Sequence, residues 1–290
     1  MPQRQPFTTL CQLAARLPRG PQAGGRADLH VHTTYSDGTY TPRQVVELAR
    51  RCGLSALAVT DHDTLGGITD ARAAAPPGLE VVAGVEITAE YRGRELHLLG
   101  YFVRLDCPAL AAALGRIRRH RVDRFHEMVR RLRACGVELD GEAPAGPEAP
   151  QTWGRRHLAE MLVRAGKVGS VREAFARYLK DGGRAEAPKV RLPVAEALAL
   201  VRGAGGVSAW AHPSGDCTPQ TLAELRGWGL NAVEVEYPEL KQARTQELRR
   251  WAAALGLAVT GGSDCHGPGR RTVGACTVSA EELERLRRMV

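Results

Sequence analysis

The chain has 290 residues and a formal net charge of +8, from 40 Lys and Arg against 32 Asp and Glu. Hydrophobic residues make up 43% and charged residues 25%, proportions that exclude a fibrous or an intrinsically disordered chain. No run approaches the ~18 apolar residues of a membrane-spanning helix, so no membrane partner is expected. The seven Cys include no Cys-x-x-Cys pair, which favours reduced thiols in a cytoplasmic protein.

The first 27 residues differ in composition from the rest of the chain. They contain four Arg, no Asp or Glu, and four Pro that interrupt any long helix. Transit peptides are also rich in Arg and poor in acids, but they form one amphipathic helix. We therefore expect residues 1–27 to be a flexible N-terminal tail.

From residue 28 onward, short apolar runs alternate with helical patterns. Strands are predicted at residues 54–60, 79–88, 95–103, 207–211, 232–237 and 257–260. Helices are predicted at residues 43–52, 193–203, 218–229, 240–255 and 280–290. This alternation indicates an α/β domain with a parallel sheet or a barrel, divided between residues 28–105 and 191–290.

The segment between these two parts, residues 106–190, is predicted to be an all-helical insert. It has a long Arg-rich helical pattern at 110–135, a Pro, Gly and Ala linker at 141–150, and two helical segments within 155–180. Residues 110–191 hold 18 Lys and Arg against 10 Asp and Glu, whereas the rest of the chain has 22 of each. The excess of positive charge therefore belongs to the insert. It indicates either a solvated helix face or a basic cap that captures anionic substrates.

Six of the nine His lie in predicted strands or in turns directly after them. His30 and His32 alternate along one strand, so both imidazoles face one side and can reach one metal ion. Active sites of parallel α/β folds form where the C-terminal ends of the strands meet. We therefore expect nine groups to converge there: His30, His32, Asp37, His62, Glu86, His97, His212, Asp264 and His266.

This mixture of imidazoles and carboxylates is typical of sites for Mn, Fe or Zn, and nine groups exceed the needs of one ion. Two or three divalent ions are therefore predicted. Several ions at one site activate a water molecule and stabilise the attacking and leaving oxygens of a displacement at phosphorus. No GxSxG or P-loop motif offers a competing site. The pairs Gly66-Gly67 and Gly261-Gly262 are expected to let backbones approach closely at strand ends.

The motifs HVHTTYSDG, TDHD, GVEIT, AHP and SDCH, with the His97 strand before AHP, resemble those of the PHP (polymerase and histidinol phosphatase) family in the same order. The resemblance covers about residues 28–290. The insert sequence GRRHLAEMLVRAGKVGSVREAFARYLKDGG is similar to that of the subgroup acting on nucleoside 3′,5′-bisphosphates and short RNA 5′ ends. The resemblance implies a distorted (β/α)7 barrel with a trinuclear metal centre, for which Mn is favoured and Fe or Zn are alternatives.

The resemblance also implies how the ligands are shared among three ions. His30, His32, Glu86 and Asp264 would hold the first ion; Glu86, His97 and His212 the second, with Glu86 as the bridge; and Asp37, His62 and His266 the third. Two interpretations stay open for Asp61 and Asp63, which flank His62. Both are either carboxylates that orient a ligand or meet an ion, or ordinary loop acids.

In the insert, Arg155, His157 and Arg184 are expected to meet a substrate phosphate, and His157 alternatively donates a proton to the leaving oxygen. Two departures from the subgroup concern these contacts and leave the metal ligands intact. Arg156 stands where the subgroup tends to have proline, and residues 184–188 read RAEAP where it tends to have PAYVP.

The sequence therefore predicts a monomeric, cytoplasmic, metal-dependent phosphoesterase. The expected reaction is loss of the 3′-phosphate from nucleoside 3′,5′-bisphosphates, with 5′-3′ exonuclease action on short 5′-phosphorylated RNA as a second activity. The alternatives are a phosphatase for another small metabolite, such as histidinol phosphate, and a non-catalytic metal-binding module. Hydrolysis at carbon is disfavoured because no Lys ends a strand that bears a motif. The expected partners are a small anionic nucleotide and short RNA, and no obligate protein partner is evident.

Overall fold

The computed structural model describes residues 25–139 and 151–290. Its strands are β1 (Arg26–Val31), β2 (Ala56–Val59), β3 (Glu80–Tyr91), β4 (Arg94–Tyr101), β5 (Leu192–Pro193), β6 (Val207–Trp210), β7 (Ala232–Glu236), β8 (Ala258–Gly261) and β9 (Val278–Ser279). Its helices are α1 (Pro42–Arg51), α2 (Gly67–Ala74), α3 (Pro108–Ala134), α4 (Arg155–Arg164), α5 (Val171–Ala174), α6 (Val194–Gly203), α7 (Pro219–Gly227), α8 (Gln242–Leu255) and α9 (Ala280–Arg287). Most of the predicted tail, and the linker at 141–150, lie outside the described residues.

The strands form one sheet that nearly closes into a barrel. Their order is β8-β7-β6-β4-β3-β2-β1-β9, with β5 paired to β3. At the end of β1 and just beyond β8 the barrel closes, because Val31 bridges Cys265 in parallel and the His32 amide donates to the Cys265 carbonyl at 3.0 Å. The predicted α/β barrel is confirmed.

Strand β4 runs antiparallel to both of its neighbours, β3 and β6, so the sheet is mixed and not purely parallel. The cause is local. Between β3 and β4, Arg92 and Gly93 both have positive φ, at 51° and 77°, and such a two-residue turn joins antiparallel strands directly. The start of β4 therefore lies beside the end of β3, and His97 reaches the barrel end where the other strands finish.

The barrel interior is packed with small side chains. One buried cluster joins residues from β1, β2, β3, β4, β6, β7 and β8, and nearly half of its members are Ala. Strands so far apart in the sheet order share contacts only inside a curled sheet. Leu283 and Leu286 of α9 belong to the same cluster, so this helix closes one end of the barrel.

Local signals fix the helix starts. The Thr41 side chain accepts a hydrogen bond from the backbone amide of Gln44, and the Gln44 side chain accepts one from the backbone amide of Thr41. Pro42 occupies the first turn of α1. Ser279 and Glu282 make the same capping box for α9. Helix α2 was not predicted, because only Gly67, Ile68 and Ala71 in its eight residues are buried and they form no periodic apolar stripe.

The insert has a hydrophobic core of its own. The first half of α3 packs into the main core through Leu114 and Ile117, and its second half packs through Phe125 and Met128 against residues of α4 and α5. After α5 the chain continues as a π-helical turn, Phe175–Leu179. Because one helix is shared by both cores, the insert is held firmly over the barrel. None of the helices in the described ranges combines the length and hydropathy that a membrane-spanning helix needs.

Candidate metal centre

The nine predicted ligands come together at one end of the barrel. His30 and His32 lie at the end of β1, His62 follows β2, His212 follows β6, and Asp264 follows β8. Glu86 and His97 reach the same end from the β3–β4 hairpin. Six imidazole rings are in mutual contact, with centroid separations from 4.1 to 6.1 Å between neighbouring rings.

The carboxylate of Glu86 is at the centre of this group. Its Oε2 lies 3.0 Å from His62 Nδ1, 3.2 Å from His32 Nε2 and 3.4 Å from His30 Nε2. Its Oε1 lies 2.8 Å from His97 Nδ1 and 3.0 Å from His212 Nε2. A carboxylate whose two oxygens face different sets of imidazoles is suited to bridging two ions.

The carboxylates of Asp264 and Asp37 contact the same group of imidazoles. Asp264 Oδ1 lies 3.2 Å from His32 Nε2 and 3.4 Å from His266 Nδ1. Asp37 Oδ1 lies 3.2 Å from His266 Nε2 and 3.9 Å from His62 Nε2. All nine groups are thus linked through atoms that can bind a metal.

These side chains fit a multinuclear metal site. Five of their atoms are buried without any hydrogen-bond partner: His30 Nε2, His32 Nε2, Asp37 Oδ1, His62 Nδ1 and Glu86 Oε2. Leaving such atoms unsatisfied is costly, and a shared cation would satisfy them together. Four groups bring their ligand atoms within 4.8 Å of one another: His32, Asp37, His62 and His266; His30, His32 and Asp264; His30, Glu86 and His212; and His62, Glu86 and His97. The division of ligands among individual ions stays a prediction, as does the choice of metal.

The electrostatics of the site favour cations. Burial by itself lowers the pKa of the His32 imidazole, but the carboxylates of Asp264 and Glu86 raise it to about 10. Burial also lowers the pKa of the His97 imidazole, but the Glu86 carboxylate has the larger effect and raises this pKa to about 9. At His62 burial prevails and lowers the pKa to about 4. Metal ions bind neutral imidazole, so their binding would displace protons from His32 and His97.

Backbone strain is concentrated at the same end of the barrel. Asp63, His212 and Asp264 have φ values of 52°, 31° and 49°, a region that residues other than glycine rarely adopt. Such strain persists only where the surrounding structure imposes it, which is common at functional sites.

Glu234 of β7 is a site residue that the sequence did not single out. Its Oε1 lies 3.0 Å from His30 Nδ1, and its Oε2 accepts from the backbone amide of His212 at 2.6 Å. The carboxylate is fully buried. It therefore fixes the ring of one predicted ligand and the backbone of another. The available signal was an acid between Val233 and Val235 in β7, Ala232–Glu236, where Glu236 at the end of the strand is the other acid.

The structure places Asp61 and Asp63 in buried hydrogen-bond networks. Asp61 accepts from the Thr33 amide at 2.7 Å and from Ser36 Oγ at 2.6 Å, and Ser36 Oγ lies 3.3 Å from His32 Nδ1. Asp63 accepts from the Thr88 amide at 2.9 Å and from Arg121 Nε of α3 at 2.8 Å. Neither carboxylate is among the four groups of clustered ligand atoms.

Of the three residues predicted to contact substrate, His157 interacts with the ligand group. It lies beside the backbone of Ser36 and within electrostatic reach of the Asp37 carboxylate, and its Nδ1 accepts from the Gly154 amide at 3.1 Å. Burial lowers the pKa of its imidazole. Arg155 pairs with Asp181 at 2.5 Å. Arg184 is exposed and makes no hydrogen bond or ion pair with any described residue, so the structure does not join it to the site.

Four cations of the insert gather on the side of the metal centre that holds Asp63 and Glu95. We call Arg121, Arg124, Arg155 and Lys189 the cap cation cluster. Arg121 Nε donates to Asp63 Oδ2 at 2.8 Å, and Lys189 lies 2.5 Å from Glu95 Oε1, which is itself 3.1 Å from His97 Nε2.

The members of the cap cation cluster repel one another. Burial lowers the pKa of Arg124 to about 10, with Arg155 and Arg121 acting in the same direction. Burial, together with Arg121 and Arg155, lowers the pKa of Lys189 to about 8. A bound anion would relieve this repulsion, so the cluster is suited to a phosphate.

Comparisons with known proteins agree with this geometry. The family model described as PHP domain matches residues 28–186. A 5′-3′ exoribonuclease of Haemophilus influenzae is 33% identical, over 83% of this chain and 90% of its own. A 3′,5′-nucleoside bisphosphate phosphatase of Chromobacterium violaceum is 33% identical, over 83% and 87%. A phosphoribosyl 1,2-cyclic phosphate 1,2-diphosphodiesterase of Eggerthella lenta is 33% identical, over 83% and 94%.

A solved structure shows the same fold. It is described as a metal-dependent phosphoesterase from Bifidobacterium adolescentis and superposes with a TM-score of 0.84 at 32% identity, covering 92% of this chain and 96% of that one. The order of the motifs, the barrel and the clustered ligands lead to the same assignment as these matches. The chain belongs to the PHP domain family.

Proposed function

We propose that this protein, a metal-dependent phosphoesterase of the PHP family, removes the 3′-phosphate from nucleoside 3′,5′-bisphosphates. The observation that carries the substrate assignment is the cap cation cluster beside the clustered ligands. One phosphate at the metal centre and another at Arg121, Arg124, Arg155 and Lys189 would occupy the two anion-binding regions at once. A monophosphate would leave the second region empty.

The reaction is hydrolysis at phosphorus. Water adds to the phosphorus, the bond from phosphorus to the 3′ oxygen breaks, and the 3′ oxygen takes up a proton. Divalent ions supply an activated water and charge stabilisation for the phosphoryl oxygens. The chain contributes the nine ligands and the cations that hold the second phosphate. The carboxylate of Glu234 orients His30, and that of Asp61 orients His32 through the hydroxyl of Ser36.

Exonuclease action on short 5′-phosphorylated RNA is a second candidate activity. It breaks the same bond, at the 3′ oxygen of a nucleotide that carries a 5′-phosphate. The names of the two relatives that act on such substrates support both activities. The third relative has the same identity and a cyclic phosphodiester substrate, so identity alone does not select the substrate.

The test is an assay of the purified protein with Mn and four substrates: adenosine 3′,5′-bisphosphate, adenosine 3′-monophosphate, histidinol phosphate and a short 5′-phosphorylated RNA. Release of phosphate and of AMP is followed. We expect the bisphosphate to be favoured over the 3′-monophosphate. A preference for histidinol phosphate, or equal rates with and without the 5′-phosphate, would refute the substrate assignment.

Arg124→Ala tests the contribution of the cap cation cluster. Loss of one charged contact to phosphate should lower kcat/KM for the bisphosphate about tenfold and leave kcat/KM for the 3′-monophosphate nearly unchanged. Arg133→Ala is the matched control, since Arg133 is an exposed residue of the same helix whose side chain makes no hydrogen bond or ion pair with any described residue. Equal losses on both substrates would contradict a 5′-phosphate site here.

His157→Ala distinguishes positioning from proton donation. Nδ1 accepts a backbone hydrogen bond, so a neutral His157 carries its proton on Nε2. General acid catalysis is typically worth about 100-fold or more. A loss of rate below about threefold, with the metal content unchanged, would exclude His157 as the proton donor.

A further inference from the structure

A second cationic region is a cavity beside Asp264 and His266, and none of the four residues of the cap cation cluster lines it. Its volume is about 350 Å³, and its walls are Arg156, at the start of α4, and the loop of residues 267–271, Gly-Pro-Gly-Arg-Arg. We call it the loop cavity. Three guanidinium groups line it, and its single carboxylate is that of Asp264. Two sites of positive charge with different residues therefore border the ligand group, one through Glu95 at His97 and the other through Asp264 and His266.

The three arginines of the loop cavity differ in how they are engaged. Arg271 is fully engaged, at 2.6 Å from Asp264 Oδ2 and 2.7 Å from Glu239 Oε1, over the ring of Tyr237. It therefore holds a predicted ligand. Arg270 is exposed and makes no hydrogen bond or ion pair with any residue of the described ranges.

Arg156 also has donors to spare. Its Nε lies 3.2 Å from Glu160 Oε1 but makes no hydrogen bond, and about a third of the side chain is exposed. The loop cavity therefore presents two guanidinium groups, those of Arg156 and Arg270, to an incoming anion.

The loop is held in place rather than free. The Thr39 amide donates to the His266 carbonyl at 2.9 Å. Gly267 has a φ of 149° and packs so closely on Thr39 that a Cβ would overlap the threonine side chain. At its two ends, the amides of Ser263 and Gly274 donate to the buried carboxylate of Asp28 at 2.9 and 2.8 Å. Arg270 and Arg271 are thus presented on an anchored segment.

This inference rests on the proposed function, in which the cap cation cluster holds the 5′-phosphate and the metal centre holds the phosphate at the scissile bond. A 5′-phosphorylated trinucleotide has one phosphate more, the second phosphodiester. The loop cavity shares the predicted ligands Asp264 and His266 with the metal centre, so it is the cationic site left for that third phosphate. We propose that the loop cavity binds the phosphodiester on the 3′ side of the scissile bond, which makes it a specificity site for RNA of three or more nucleotides.

The test compares three substrates that share the 5′-phosphate: adenosine 3′,5′-bisphosphate, the dinucleotide pApA and the trinucleotide pApApA. Only the trinucleotide has a phosphodiester beyond the scissile one. The double variant Arg156→Ala/Arg270→Ala should lower kcat/KM for pApApA about tenfold and leave the other two substrates within about twofold of wild type. Arg285→Ala is the control, because the side chain of this exposed arginine of α9 also makes no hydrogen bond or ion pair with a described residue.

Two results would overturn the proposal. One is hydrolysis of pApApA by the double variant at the wild-type rate. The other is an equal loss on all three substrates, which would place a phosphate common to them in the loop cavity.

A binding measurement separates this proposal from the proposed function. A pApApA analogue with a methylenephosphonate at its first linkage binds without being cleaved, and fluorescence anisotropy gives its affinity for the Mn-loaded protein. We expect the double variant to bind about tenfold more weakly and with a smaller dependence on salt. Failure of all substrates to turn over, with this difference intact, would refute the proposed hydrolysis but not the site. Equal affinities would refute the site.

Discussion

The role of Glu234 depends on a distant part of the chain. It is 204 residues from His30 in sequence, yet its carboxylate is 3.0 Å from that imidazole. A carboxylate that accepts a hydrogen bond from a ligating His fixes the ring and increases its basicity. An amide in the same place would keep the shape and lose the charge.

Glu234→Gln should therefore weaken metal binding by about 10- to 100-fold while the protein stays folded. Metal affinity is measured by titration of Mn, and folding by the melting temperature. Glu236→Gln is the matched control, because this acid of the same strand pairs with Arg249 instead. Equal effects of the two variants would contradict the assigned role.

Lys189 gives the cap cation cluster a dependence on pH. Its pKa falls to about 8 in the folded protein from an ordinary value of 10.5. Above pH 8 the folded chain loses this charge, so KM for the bisphosphate should rise as the pH passes through about 8. Lys189→Arg keeps the charge and should remove this rise. An unchanged profile in that variant would exclude Lys189 as its source.

The same shift has a consequence for stability, with the opposite trend. Between pH 8 and 10.5 an unfolded Lys189 holds its proton while the folded one has released it. Stability therefore increases with pH across this window, because the unfolded state binds more protons. The free energy of unfolding by urea, compared between wild type and Lys189→Met at pH 7.5 and 10, measures this contribution. The difference should shrink at the higher pH.

At the scale of elements, the contact between the end of β8 and β1 depends on glycine. A Cβ on Gly262 would overlap the backbone nitrogen and the Cβ of His30, and one on Gly261 would overlap Glu236. On the α2 side, a Cβ on Gly67 would lie 2.8 Å from Asp61 Oδ2. The close backbone approach predicted for the pair Gly261-Gly262 is confirmed, and at Gly262 it sets the position of a predicted ligand, whereas Gly67 approaches side chains at the start of α2.

Gly262→Ala should displace His30, destabilise the fold by roughly 1–3 kcal/mol and impair metal binding. Gly227→Ala is the control, since an added methyl there meets nothing within 4 Å and Gly227 merely ends α7. Urea unfolding and Mn titration are the measurements. A Gly262→Ala protein with wild-type stability and affinity would show that β1 and β8 can separate without consequence.

At the scale of the whole molecule, the metal centre joins most of the strands of the barrel. Buried atoms from β1, β3 and the turns after β1 and β2 have no hydrogen-bond partner. Ions that satisfy them bind the folded chain only, so they must stabilise it. Each ion present at 100 times its dissociation constant contributes about 2.7 kcal/mol.

Removal of metal by a chelator should therefore abolish hydrolysis and lower the melting temperature by roughly 5 °C or more, and Mn should restore both. Asp264→Ala should lose activity and most of the Mn-dependent stabilisation. His120→Ala, at an exposed His of α3, should retain both. A melting temperature that is indifferent to Mn in the unaltered protein would contradict a structural role for the ions.

The distribution of charge is also a property of the whole molecule. The excess of +8 belongs to residues 110–191. Helix α3 carries part of that charge to the metal centre, because its first half is anchored in the barrel core and its second half in the core of the insert. Substrates with several phosphates would be attracted to this end of the barrel.

The sequence by itself determined the α/β class, the helical insert and the nine residues that converge. These follow from local properties: the period of apolar residues, the alternation of His30 and His32 along a strand, and the meeting of strand ends. Contacts of side chains that the local pattern does not distinguish could not be predicted from the sequence. Nothing near Lys189 in the sequence indicates its contact with Glu95, 94 residues away.

Only the tertiary structure decided which charges meet. The reversal of β4, the contact of Glu234 with His30, the cap cation cluster and the loop cavity all depend on strand order and on closure of the barrel. The physical reason is that burial and electrostatic coupling depend on distance in space. A residue pattern specifies spatial distance over a few positions along one strand or helix, whereas the fold specifies it between elements hundreds of residues apart.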